Sequence, residues 1–163
     1  MNTLFFEDTV YISDKKSQAG VFEEVYEDLL QKNLVTEAFL PNILEREKNY
    51  PTGLDLSPVS HELPNIAIPH TESTYVKTSR IIPIKLKHPL TFHNMIAPDA
   101  TLTVTFLFMI LNENGEAQAG MLAQIMDFIN STDKEAFNTF FDSENTQTIY
   151  QFLEKHFTIE DSV

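Results

Sequence analysis

The chain has 163 residues, 42% of them apolar, enough for one domain with a full hydrophobic core and short for two. It contains no cysteine, which excludes disulfides, thiolate metal sites and cysteine nucleophiles together. A net charge of −13 makes phosphate backbones and anionic lipid surfaces poor partners, and fits either plain solubility or transient docking on basic patches of other proteins.

Phe5 to Ile12 has enough β-formers for a short first strand ending at Ser13-Asp14. From Lys16 to Lys32, Val21, Phe22, Val25, Leu29 and Leu30 recur at helical spacing, and Asn33 reads as the stop. Thr36 is placed to cap a second helix running through Lys48, with Phe39, Leu40, Ile43 and Leu44 as its apolar face. Pro41 falls inside that helix, where an interior proline loses a backbone hydrogen bond. Asn49 to Asn65 contains Pro51, Gly53, Pro58 and Pro64 and reads as a long irregular loop, a kind of segment that is usually functional or mobile.

The loop ends in a short apolar run, Ile66-Ala67-Ile68, followed at once by Pro69-His70-Thr71. Pro69 stops ladder pairing, so His70 is expected at a strand end where side chains reach a cleft. Arg80 to Lys87 alternates Ile82, Ile84 and Leu86 with other residues, and Leu90 to Phe92 suggests a short additional strand. Thr101 to Leu111 is almost continuously apolar, as a central strand buried on both faces would be. Beyond the turn at Asn114-Gly115, three helical segments follow, marked by Leu122, Ile125, Met126 and Ile129, by Phe137, Phe140 and Phe141, and by Ile149, Phe152 and Leu153. Thr132-Asp133-Lys134-Glu135 has the form of a capping box opening the second of them. The order helices, strands, helices predicts one α/β domain over residues 1–163, with a mixed β-sheet flanked by helices. No glycine pattern for dinucleotide or P-loop binding is present.

No run approaches the roughly 20 consecutive apolar residues of a membrane span. The N-terminus lacks a basic start and apolar run, so a cytoplasmic location without membrane insertion is the expectation.

Acid–base and nucleophilic candidates reduce largely to five histidines and the carboxylates. His156 sits near a helix end, where the dipole favours a cation. His88 precedes Pro89 in a turn, and His93 leaves a strand in a surface or structural setting. His61 and His70 fit no helical two-histidine motif, and no carboxylate cluster completes a metal site. His70 stands apart by its setting. A neutral imidazole held at a strand end behind a proline is a nucleophile that needs no separate base, and suits direct attack on phosphorus. On the residues alone, a structural role for it stays open.

The run NIAIPHTE, Asn65 to Glu72, resembles the active-site signature of enzyme IIA proteins of the fructose–mannitol superfamily of the bacterial phosphotransferase system. LEREKNYPTGL (Leu44 to Leu54), HPLTFHNM, TVTFLFMIL and MLAQIMDFI follow the same family order, and the Pro-Thr-Gly-Leu and Thr-Phe-His elements are most similar to the galactitol-type branch. The resemblance implies a phosphoryl carrier at His70, loaded by the histidine-containing phosphocarrier protein. It would be unloaded onto a IIB component, which serves the membrane component IIC during uptake of a sugar or sugar alcohol. Arg46 and Thr52 would then orient the phosphate, an Arg fork matching its oxygens. The same two residues also fit a surface ion pair and a loop-shaping hydroxyl. Many members carry a second histidine where Gln118 stands here. A glutamine amide donates a hydrogen bond but carries no charge. His61 is a possible substitute for that partner. The missing histidine is compatible with a regulatory member that is phosphorylated on His70 and acts by binding other proteins. No cofactor is implied.

Overall fold

The fold is seen in a computed structural model that describes residues 4–115 and 118–157, the side chain of Gln118 excepted. Phe5 and Val10 are buried, but Glu7–Thr9 forms a single 3-10 turn, so the expected first strand shrinks to β1, Tyr11–Ser13. Helix α1, Gln18–Gln31, opens at Ser17, whose hydroxyl accepts from the Gly20 N–H at 3.0 Å. It buries Val21, Phe22, Val25 and Leu29, and the chain leaves it through Asn33 in the left-handed region (φ 62°).

Helix α2, Phe39–Asn49, starts later than Thr36. Its N-cap is Ala38 without a side-chain cap, and the Thr36 carbonyl only accepts from the Phe39 N–H. Pro41 therefore stands at the third helical position. Helix N-termini leave their first four N–H groups unpaired, so the missing proline donor costs nothing there. The long loop is less irregular than its composition suggests. Gly53–Leu54 forms β2, and Leu56 and Leu63 are buried in the core.

The two strand pieces expected from Arg80 to Phe92 are one strand, β4, Arg80–His93. Its register slips between Lys85 and Leu90, and Lys87, His88 and Pro89 are exposed there, where a proline is tolerated. With β3 (Asn65–Ala67) and β5 (Thr101–Leu111) the sheet has the order β1-β4-β5-β3-β2. The β1–β4 and β3–β5 pairs are parallel, and β4–β5 and β2–β3 are antiparallel.

Central strand β5 divides the core by its two-residue period. Phe106, Phe108 and Ile110 join the apolar layer under α3 (Gln118–Ser131), α4 (Lys134–Asp142) and α5 (Thr146–His156). Leu107, Met109 and Leu111 join the layer under α1 and α2. The first layer is dense in phenylalanine; Phe128 alone lies within 6.3 Å of Phe108, Phe137, Phe140, Phe152 and Phe157. The capping box shifts by one residue. Asp133, not Thr132, caps α4 by accepting from the Ala136 N–H, while the Thr132 hydroxyl donates back to the Phe128 carbonyl. Among the described residues no helix is long and apolar enough to cross a membrane.

Candidate active site

Strand β3 ends at Ala67, and the next three residues are locked to both neighbours in the sheet. The Ile68 N–H donates to the Thr52 carbonyl on one side. On the other, the Ile110 N–H donates to the Pro69 carbonyl, and His70 bridges Ile110 in parallel register. Pro69 has no N–H to give, but its carbonyl still anchors the turn, so His70 is carried on the rigid end of the central strands.

The His70 ring lies with Nδ1 at 2.9 Å from the Ile68 carbonyl. A carbonyl only accepts, so Nδ1 carries the hydrogen and Nε2 holds the free lone pair. Burial holds the imidazole below the usual histidine range, and the Arg46 guanidinium adds to this, while the Ile68 carbonyl pulls the other way. The ring is therefore neutral and nucleophilic near neutral pH.

His70 faces a cleft of about 250 Å³. Arg46 of α2 lines it, with Thr71, Glu72 and Ser73 after β3 and Asn112 and Gly115 after β5. Arg46 Nη1 is 3.9 Å from Glu72 Oε1, and its guanidinium lies 4.9 Å from the Tyr50 ring centroid. Among the described residues its buried Nε has no hydrogen-bond partner. An unpaired buried donor beside an open cleft is a ready seat for an anion.

The sequence candidates divide accordingly. Arg46 and His70 share the cleft. Thr52 is buried, and both its N–H and its hydroxyl donate to the Glu47 carboxylate, at 2.8 and 2.5 Å. Gln118 opens α3, and its side chain lies outside the described residues. His61 is exposed and acts on Asp55. His93 is exposed and its Nδ1–H donates to the Pro98 carbonyl at 2.8 Å, tying down the turn after β4. Among the described residues no three histidine or carboxylate side chains cluster as a metal site.

Glu47, Asn112 and Ser73 were not singled out in the sequence. For Glu47 a signal existed. Phe39, Ile43 and Glu47 are spaced i, i+4, i+8 and all three are buried, so the acid continues the apolar face of α2. Asn112 and Ser73 have no local signal; the fold alone brings their segments together.

The sequence profile described as "Phosphoenolpyruvate-dependent sugar phosphotransferase system, EIIA 2" matches residues 3–156. The chain belongs to that family. As an EIIA 2 protein it is a phosphotransfer component of a sugar phosphotransferase system. The IIA mannitol protein of Escherichia coli is 14% identical with a TM-score of 0.69, covering 91% of this chain and 98% of that one. Enzyme IIAMTL from the E. coli complex with phosphorylated enzyme IIBMTL is 13% identical with a TM-score of 0.69, covering 93% and 97%. The nitrogen regulatory protein IIA-Ntr of Neisseria meningitidis is 20% identical with a TM-score of 0.61, covering 91% and 94%. At these identities the likeness establishes the EIIA 2 fold, a mixed five-stranded sheet in one α/β domain. No curated protein sequence matches the chain significantly.

Proposed function

We propose that His70 is the phosphoryl-carrying residue of this EIIA 2 protein. The observation that carries this reading is the tie between His70 Nδ1 and the Ile68 carbonyl, which leaves Nε2 unprotonated in a residue that shares its cleft with Arg46. In the transfer, the Nε2 lone pair forms a bond to phosphorus as the bond to the donor's histidine nitrogen breaks. The bonding pair returns to the donor, and Nδ1 keeps its hydrogen throughout. Such a transfer needs little beyond positioning and charge stabilisation. Arg46 supplies the charge.

The donor is the histidine-containing phosphocarrier protein. The acceptor is a IIB component, a role supported by the similarity to an enzyme IIA held in complex with phosphorylated IIB. The membrane component IIC is reached only indirectly. The protein then works in the cytoplasm, and residues 1–163 act as one IIA unit. YPTGL and TFH favour a galactitol-type system over other branches. A regulatory role is the second reading, favoured by Gln118 in place of a second histidine and by the structural likeness to IIA-Ntr.

Incubation with enzyme I, the phosphocarrier protein and phosphoenolpyruvate, followed by intact mass and peptide mapping, tests the proposal. Acid-labile phosphate on His70, absent from His70→Ala, is the expected result. Active donor proteins that leave the chain unlabelled would overturn it.

A further inference from the structure

Arg46 and Glu47 are neighbours in the last turns of α2, so their side chains leave the helix about 100° apart. Arg46 lines the cleft, whereas Glu47 is buried at 7% exposure. Hydrogen bonds joined through the backbones of Thr52 and Ile68 connect that carboxylate to the imidazole. Thr52 donates its N–H to Oε2 (2.8 Å) and its hydroxyl to Oε1 (2.5 Å) of Glu47. The Thr52 carbonyl accepts from the Ile68 N–H at 3.2 Å, and the Ile68 carbonyl accepts from His70 Nδ1 at 2.9 Å. The N–H and carbonyl of Thr52, like those of Ile68, belong to separate peptide groups, so this path carries position and not polarisation: Glu47 holds the Thr52 backbone, and Thr52 holds the Ile68 backbone whose carbonyl meets the ring.

Stability does not account for the acid. Burial pushes the Glu47 carboxyl up to about 7, against the pull of the two Thr52 bonds and of His93. A group so reluctant to ionise is a poor stabiliser compared with an apolar side chain of similar size.

We infer that Glu47 is a positioning residue for phosphoryl transfer, fixing through Thr52 and Ile68 the Nδ1–H tautomer and the orientation of His70. This rests on His70 being the carrier. The tautomer decides reactivity, because an imidazole protonated at Nε2 has no lone pair there to attack phosphorus.

The test uses the full chain with ¹⁵N-labelled histidine. Two-bond ¹H–¹⁵N NMR reads the His70 tautomer, and the enzyme I and phosphocarrier assay reads the rate of phosphorylation. Wild-type protein should show the Nδ1–H form. Glu47→Gln should raise the Nε2–H population and slow phosphorylation about tenfold. Thr52→Val should act in the same direction, the double variant should be no slower than the slower single one, and Thr52→Ser, which keeps both donors, should behave as wild type. If Glu47→Gln does not fold, Thr52→Val decides. A phosphorylatable wild type with tautomer and rate unchanged in Glu47→Gln and Thr52→Val overturns the positioning role alone. A wild type that takes up no phosphate overturns the carrier reading and the transfer role with it.

Discussion

Arg46 holds Glu72 at 3.9 Å in the lining of the His70 cleft, while its own buried Nε has no hydrogen-bond partner among the described residues. The contact is long for a salt bridge, and the Glu72 side chain is 60% exposed. Such a pair contributes about 0–1 kcal/mol to stability. A dianionic phosphoryl group in the cleft offers Arg46 a stronger, forked partner, and Glu72 becomes the competitor it displaces.

Arg46→Gln is therefore expected to slow phosphorylation of His70 by about 10- to 100-fold. Arg46→Lys should fall between that variant and wild type, since it keeps the charge and loses the fork. Glu72→Gln should speed phosphorylation, with thermal stability changed by less than about 1 kcal/mol. Stopped reactions with enzyme I and the phosphocarrier protein, alongside thermal melts, check all three. A slower Glu72→Gln would show that the carboxylate assists the reaction.

The His70 imidazole titrates below the usual histidine range, with burial the main cause and Arg46 the next. In the unfolded chain it takes up its proton at ordinary pH, near 6.5. Stability from the neutral folded form is thus complete above that value and is lost as pH falls below it. Phosphorylation should persist to a lower pH than an ordinary histidine allows. Arg46→Gln removes one of the two depressing influences, so the His70 midpoint should rise part of the way back. An NMR titration of His70 in both proteins measures this; a midpoint above the usual range in wild type would contradict it.

Glu47 has the opposite sign. Its folded carboxyl titrates at about 7 against an ordinary value of 4.5. Between those two values the folded state holds a proton that the unfolded state has lost. Stability therefore falls as pH rises through that window, by about 3 kcal/mol in all. Glu47→Gln cannot titrate, so it should lack this part of the pH dependence. Urea unfolding of both proteins at pH 4.5 and 7.5 gives the comparison, and parallel pH profiles would refute it.

Gly53 sits where β2 meets the end of β4. A Cβ added there would lie 2.6 Å from the His93 carbonyl oxygen and 3.3 Å from Phe92 Cβ. Backbone cannot yield as a flexible side chain does, so Gly53→Ala must push β2 away. The expected cost is about 1–3 kcal/mol in urea unfolding. Phosphorylation should slow as well, because Thr52 is the next residue. An unfolding curve identical to wild type would mean that β2 shifts freely.

Much of this architecture was legible from local periodicity. The apolar spacing of α1 and the unbroken run of β5 follow from one face or two faces being covered, and neither depends on which partner does the covering. The helix starts were read less well. Thr36 and Thr132 have good capping chemistry, yet Ala38 and Asp133 occupy the caps. Tertiary packing sets where the chain turns into each helix, and the cap is whatever residue falls there. Strand β2 was missed because a two-residue strand has no period to detect.

By itself the sequence placed Pro69-His70 at the end of a strand, with no cysteine or nucleotide motif in the chain, and the likeness of NIAIPHTE to the family signature is what singled out His70 as the proposed carrier. It also determined the family order of motifs around that residue. Only the tertiary structure decided which side chains meet His70. Arg46 is 24 positions away and Asn112 is 42 positions away, and they share its cleft because α2 and the end of β5 pack beside the same strand end. Thr52 shows the converse. The family resemblance implied a phosphate-orienting role for it beside a loop-shaping one, and in the fold both its donors go to Glu47. A buried carboxylate must be satisfied by the donors within its reach, and which donors those are depends on through-space geometry that no local pattern encodes.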